Sequence, residues 1–288
     1  MATHTPTDFN FSRAVAAMQL LEEGMSYDER MALAECKRAG ATEKAAMTMP
    51  KLFSRDFAFS PILLKSALFR SAERGARSTF TKEDPLMLTS AAGDKITFLG
   101  EELRQDDQTV LLTFIKRVAG KSVESSIALT PRKFVRELGW ADSGASVEKL
   151  KASLKRLRAA YVLIEYAKGG EGTLGFVSDY ETRGGEEWTV WLAPRLVILF
   201  AKQKTFLRVE ERQSLKEGLQ TWAFGFINAS VCAEPFKLEE MREWAGSEAT
   251  QKEFNRTLKV ALEALVLAEV IVEFKMDRSA VRIVRKMN

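Results

Sequence analysis

The sequence predicts an α+β chain: two tandem helix-turn-helix units, each closed by a β-hairpin, behind a partly helical N-terminal extension. Three observations predict it. Residues 106–183 read as helix, strand, helix, helix, strand, loop, strand. A similar order recurs about 104 positions later, and residues 1–55 carry helix-compatible stretches without strand pattern.

The extension, residues 1–55, includes "SRAVAAMQLLEEGMSYDERMALAECKRAGATEKAAM", with a break near Gly24. From about residue 57 the pattern is mixed. In "STFTKEDPLMLTSAAGDKITFLGEEL", Asp-Pro and Ala-Gly-Asp turns separate short apolar runs, as in a hairpin. A helix follows at about 106–119, with Val110, Leu111, Phe114, Ile115 and Val118 on one face and Gly120 as its left-handed end. "SSIALTP" is a short strand leading into a helix that Thr130 can cap and Pro131 can open. "PRKFVRELGW" is that short helix, stopped at Gly139.

"KLKASLKRLRAAYVLIEY" at 149–166 then changes period, helical to Ala160 and strand-like after it. "YVLIEYAK" and "LGFVSDYETR" read as strands joined by the tip "GGEGT", and "EEWTVWLAPRLVILF" as a further strand or two. In the second unit "RVEERQSLKEGLQTWAFGFINAS" reads as one long helix and "PFKLEEMREWAG" as a short helix stopped by Gly246. A longer helix then runs into a strand, a turn at "DRS" and "AVRIVRKM". The shift places Phe134 on Leu238, Leu150 on Phe254, Leu154 on Leu258, Tyr161 on Leu265 and "VLIEY" on "VLAEV". This order is that of a winged helix. The predicted domains are 56–203 and 204–288.

Composition narrows the function. Of 288 residues 46 % are hydrophobic and 28 % charged, a globular balance, and the net charge of +4 admits an acidic partner. No apolar run nears a membrane span and the start "MATHTPTDFN" lacks a secretory pattern, so a cytoplasmic protein is expected. Cys36 and Cys232 form no metal-spaced pair, and the single histidine, His4, leaves no Ser-His-Asp triad, Cys-His dyad or His/Cys zinc site. "AGKS" at 119–122 ends like a phosphate-binding loop, but Ile115 stands where the loop needs glycine. Asp106 and Asp107 read as acids favoured at a helix N-terminus. No enzymatic activity, cofactor or metal is expected.

On the first long helix Val147, Leu150, Leu154, Leu157 and Tyr161 share an inner face. Ala145, Glu148, Ala152, Lys155, Arg156 and Ala159 lie opposite, flanked by Lys149, Lys151 and Arg158. On the second, Phe254, Leu258, Ala261, Leu262 and Leu265 form the inner stripe. Lys252, Asn255, Arg256 and Lys259 point outward, with Gln251 at the edge. Base reading is therefore assigned to Gln251, Asn255 and Arg256, whose side chains can pair bidentately with purine edges. Phosphate binding is assigned to Lys149, Lys151, Lys155, Arg156, Arg158, Lys252 and Lys259. The wing tips are placed at Lys168, Gly169 and Gly170 and, in the second unit, at Arg278 between Asp277 and Ser279. Trp140, Trp222 and Trp244 read as packing residues.

"KSALF" at 65–69, "ITFLGEELRQDD" at 96–107, "LVILFA" at 196–201 and "KEFNRTLKVALEALVLAEVIVEF" at 252–274 together resemble the TrfA-type plasmid replication initiators, over roughly residues 60 to 288. The resemblance implies a nucleotide-independent initiator that binds repeated origin sequences (iterons) as duplex through two winged-helix domains. It also implies opening of an AT-rich duplex, contact with the melted single strand, recruitment of host initiator, helicase and sliding clamp, and a monomer–dimer equilibrium. The family's clamp-docking segment has its nearest counterparts in "MQLLEE" (18–23) and "SALF" (66–69), neither of which reproduces the pattern. The rival readings are a winged-helix transcriptional regulator without origin melting, and a module whose basic helices face an acidic protein.

Overall fold

The structure is a computed structural model that describes residues 48–52, 55–183, 186–200 and 203–285. The extension up to residue 47, with His4, Cys36 and "MQLLEE", lies outside the described residues.

The chain is mixed α/β, with short helices and several small sheets. It opens with β1 (Asp56–Phe59), α1 (Pro61–Leu64) and β2 (Phe69–Arg70), then β3 (Thr79–Phe80), β4 (Leu86–Thr89), β5 (Lys95–Glu101) and β6 (Leu103–Arg104). The expected hairpin is β4–β5, in register from Leu86 opposite Phe98 to Thr89 opposite Lys95. Asp94 fixes its turn: its backbone N–H donates to Ser90 Oγ at 3.1 Å, and its Oδ2 accepts from the same hydroxyl at 2.9 Å.

Next come α2 (Gln105–Arg117), β7 (Ile127–Leu129), α3 (Pro131–Glu137) and α4 (Gly144–Ala159). Gly120 and Gly139 take positive φ, 71° and 78°, as their chain-ending roles require. Pro131 opens α3, but the Thr130 side chain makes no capping bond. Phe114 of α2 stacks on Phe134 of α3, with centroids 4.7 Å apart.

After α4 the structure departs from the expected single wing. β8 (Tyr161–Glu165) and β9 (Glu171–Leu174) form one hairpin, and β10 (Val177–Arg183) and β11 (Glu187–Leu192) a second. β8 joins the β5 sheet, whereas β11 pairs with β7, giving the sheet order β10-β11-β7. "LVILF" at 196–200 is not a strand: Pro194–Phe200 form a 3-10 helix, in which Leu196 and Phe200 are buried. An apolar run periodic at three suits either state, and Pro194, which lacks an N–H, favours helix opening here.

The second half has β12 (Thr205–Arg208), α5 (Val209–Gln213), α6 (Leu219–Asn228), β13 (Phe236–Lys237), α7 (Leu238–Trp244), α8 (Gln251–Leu267), β14 (Ile271–Met276) and β15 (Ala280–Arg285). The expected long helix over 208–230 is two helices. Gly218 between them has φ 106°, and a Cβ there would meet Glu73 Cγ at 2.5 Å. The sheet order β13-β15-β14 repeats β7-β11-β10, because in each half the strand before the short helix pairs with the last hairpin strand. The β8–β9 insertion explains why the shift of about 104 residues aligns the helix cores but not the strands after them. Leu150, Leu154, Phe254 and Leu258 are all buried, whereas Tyr161 is 44 % exposed and Leu265 fully buried.

One apolar core runs through both halves. β12 pairs antiparallel with β1, so the strand that opens the second unit lies beside the strand that opens the first.

Candidate nucleic-acid interface

Helix α8 begins at Thr250, whose Oγ1 accepts from Glu253 N–H at 3.3 Å, just after Gly246 has ended α7 with φ 61°. Phe254, Leu258, Ala261, Leu262 and Leu265 anchor its inner face. Lys252, Arg256 and Lys259 are thereby left exposed on the outer face. Gln251 and Asn255 are half-buried beside them, and Gln251 Nε2 donates to Asn255 Oδ1 at 2.7 Å. That bond leaves the Gln251 oxygen and the Asn255 amide hydrogens to serve as acceptor and donors. Arg256 is bound bidentately by Glu253, with Nη2 to Oε1 at 2.6 Å and Nε to Oε2 at 3.2 Å. This hydrogen bonding holds the Glu253 carboxyl below its ordinary value and Arg256 above its own.

The β14–β15 hairpin follows. Asp277 Oδ1 accepts from Ser279 N–H at 2.7 Å and Ala280 N–H at 2.8 Å, which pins the turn and lowers the Asp277 pKa. Arg278 stands exposed at its tip. Lys275 lies directly opposite Arg282, and both are exposed. Like charges facing each other across strands are unfavourable unless an anion covers them. Sequence reasoning passed over this pair, although counting back from the turn at Asp277 would have placed the two residues together.

Helix α4 is capped by Ser143, whose Oγ accepts from Ser146 N–H at 3.1 Å. Lys155 and Arg158 are exposed, Lys151 is half-buried, and Arg158 reaches Asp179 at 3.2 Å. Arg156 departs from its predicted role. Its side chain is 7 % exposed and grips the fully buried Asp107 at 2.9 Å, with Glu101 at 3.5 Å. It sits where the wheel predicts the outer face because β5 and α2 close over that side, so it cannot hold a phosphate. Lys149 is also engaged. It lies 4.0 Å above the Trp140 ring and 2.8 Å from Glu217, which also accepts from Trp140 Nε1 at 2.8 Å.

The acids read as helix-end residues do more than favour the dipole. Asp106 and Asp107 receive Arg77 at 2.9 and 2.7 Å. Burial, then the neighbouring Asp106 charge, pushes the Asp107 carboxyl up, while Arg156 and Arg77 pull it back. At Asp106 burial acts the same way, but Arg77, Lys149 and Arg156 together outweigh it and hold the carboxyl below its usual value.

Lys168, Gly169 and Gly170 lie on the β8–β9 turn, with both glycines at positive φ. They belong to the β5 sheet and not to the hairpin that pairs with β7. Among the described residues no cluster of His, Cys, Asp and Glu could hold a metal ion, and no helix is long and apolar enough to cross a membrane.

The family model described as TrfA protein matches residues 63–274. The chain belongs to the TrfA family. That span takes in α2 to α8, with every candidate base and phosphate contact on α4 and α8, and ends inside β14. Membership in the TrfA family supports a role in initiating replication. Among solved structures, domains 2 and 3 of RctB match with a TM-score of 0.52 at 11 % identity, covering 80 % of this chain and 100 % of that one. A second structure of RctB domains 2-3 has a TM-score of 0.49 at 9 % identity, covering 79 % and 97 %. Among curated proteins none matches. At "SALF" the side chains of Ser66, Ala67, Leu68 and Phe69 are all buried.

Proposed function

We propose that this member of the TrfA family is a plasmid replication initiator that binds origin iterons sequence-specifically as duplex DNA, promotes origin opening and recruits host replication proteins, without nucleotide, metal or enzymatic chemistry of its own. The observation that carries the reading is the outer face of α8: three exposed bases, Lys252, Arg256 and Lys259, around the hydrogen-bonded pair Gln251–Asn255. Amide and guanidinium forks read bases in a major groove, and lysines hold the backbone beside it.

In this reading each half is a winged helix, with α4 and α8 as recognition helices. The repeated sheet orders β10-β11-β7 and β14-β15-β13 support that assignment. On α4 the phosphate contacts are Lys151, Lys155 and Arg158, with Lys149 available only if it leaves Glu217. Lys168 on the insertion and Arg278, Lys275 and Arg282 on the second hairpin add positive charge at the flanks.

Two measurements test the proposal. Duplexes selected from a random pool by the full chain are expected to converge on one repeated motif, and recovery of unselected sequence would refute base reading. Permanganate footprinting beside that motif is expected to reveal unpaired thymines. Binding without such reactivity would instead identify a transcriptional regulator.

A further inference from the structure

The sequence Thr250-Gln251-Lys252-Glu253 has the spacing of a capping box, in which Glu253 would reach back to the Thr250 N–H. Only half of that box forms. Thr250 Oγ1 accepts from Glu253 N–H, but the Glu253 carboxylate turns outward onto Arg256. A carboxylate half-exposed amid Lys252, Arg256 and Lys259 repels a phosphate backbone, so it works against binding any duplex in a sequence-independent way. The helix dipole accounts for an acid in this turn but not for its pairing with the arginine that faces the groove. On α4 the first turn carries no acid.

We infer that Glu253 is a specificity-determining residue, which accepts a hydrogen bond from the N4 amino group of a cytosine while Arg256 donates to O6 and N7 of a guanine on the adjacent step. The spacing suits this. Residues three apart on a helix are separated by about 4.5 Å along its axis, close to the rise of about 3.4 Å between base pairs. The chemistry suits it as well. A carboxylate only accepts, so it rewards an amino group and rejects the O4 of thymine or O6 of guanine, and it favours cytosine over adenine because adenine sets its N7 acceptor beside the amino group. In the free protein the mutual pair holds both side chains on the outer face. The inference rests on the base-reading proposal for α8.

The test is selection from a random duplex pool with full-length wild type, Glu253→Ala and Glu253→Gln, each first checked for an unchanged melting temperature. Wild type should require cytosine at one position next to a required guanine. Glu253→Ala should lose the cytosine preference alone, by about tenfold, keep the other positions, and bind random duplex more tightly at low salt. Glu253→Gln, which presents both an acceptor and donors, should shift that one position towards adenine. If Glu253→Ala kept the full wild-type motif, the inference would be overturned while base reading by α8 stood. If wild type itself selected no motif, both would fall.

Discussion

Two arginines that look alike on a helical wheel have opposite fates. Arg256 stays exposed on α8, while Arg156 is buried against Asp107, and only contacts distant in sequence distinguish them. Truncating Arg156 to Ala leaves Asp107 buried with one cation fewer, which should destabilise the fold by about 3 kcal/mol at neutral pH. The sign of its pH dependence follows from Asp107. Its folded pKa is already raised, so its ionisation costs stability as pH rises from acid, and removing Arg156 raises that pKa further. Melting of Arg156→Ala should therefore lie furthest below wild type near pH 7 and recover part of the gap near pH 4. An equal deficit at both would show that Asp107 gains nothing from the arginine charge. Arg256→Ala should leave melting nearly unchanged, since its pair with Glu253 is solvent-exposed. Its effect belongs to binding: about a tenfold loss of preference for the cognate duplex, measured as the ratio of specific to nonspecific affinity.

At the scale of elements, the helices were the most legible part of the sequence. The apolar stripes of α2, α4 and α8 repeat over three turns or more, and Gly120, Gly139 and Gly246 end α2, α3 and α7 as read. The strands were less so. A hairpin is visible locally, but which sheet it joins depends on partners far along the chain: β8–β9 joins β5, whereas β10–β11 joins β7. The break at Gly218 was also hidden, because the atoms that a Cβ there would meet belong to Glu73 and Ser71, far along the chain. Gly246 combines both kinds of information. A Cβ there would stand 2.9 Å from Arg70 Cγ, and the same Arg70 donates to the Gly246 carbonyl at 2.9 Å and to Glu102 at 3.0 Å. Gly246→Ala should thus cost more than the ~1 kcal/mol of its backbone conformation alone. Thr250→Ala, which only removes a cap, should cost about 1 kcal/mol. Urea titration of the two variants checks the order; a larger loss for Thr250→Ala would mean that Arg70 moves aside freely.

At the scale of the molecule, the two units legible in the sequence are fastened together by contacts that no local pattern announces. β1 pairs with β12, Ser71 N–H donates to the Ala245 carbonyl at 2.9 Å, and Gln213 Nε2 donates to the Glu137 carbonyl at 2.8 Å. Arg212 is buried between the units, donating to Thr109 Oγ1 at 3.1 Å and the Thr221 carbonyl at 3.2 Å. Burial lowers its pKa to about 10, which still leaves it charged at neutral pH, so separating the units from around it would change the surroundings of a desolvated cation. Glu217 closes the same junction from the other side, with Trp140 and Lys149. Units joined through a shared core and a paired strand should unfold together. Calorimetry of the full chain is expected to give one transition with equal calorimetric and van't Hoff enthalpies over residues 56–285, and Glu217→Ala should lower that transition without splitting it. Two resolved transitions in wild type would instead mean that the boundary near residue 203 separates independently stable domains, and that α4 and α8 are free to adjust to each other on DNA. A single transition, together with the shared core and the pairing of β1 with β12, makes a fixed relative placement of α4 and α8 the expectation. The spacing between the stretches of duplex contacted by α4 and α8 should then tolerate no inserted base pair, and affinity for selected sites carrying one extra base pair between those stretches should fall towards the nonspecific level.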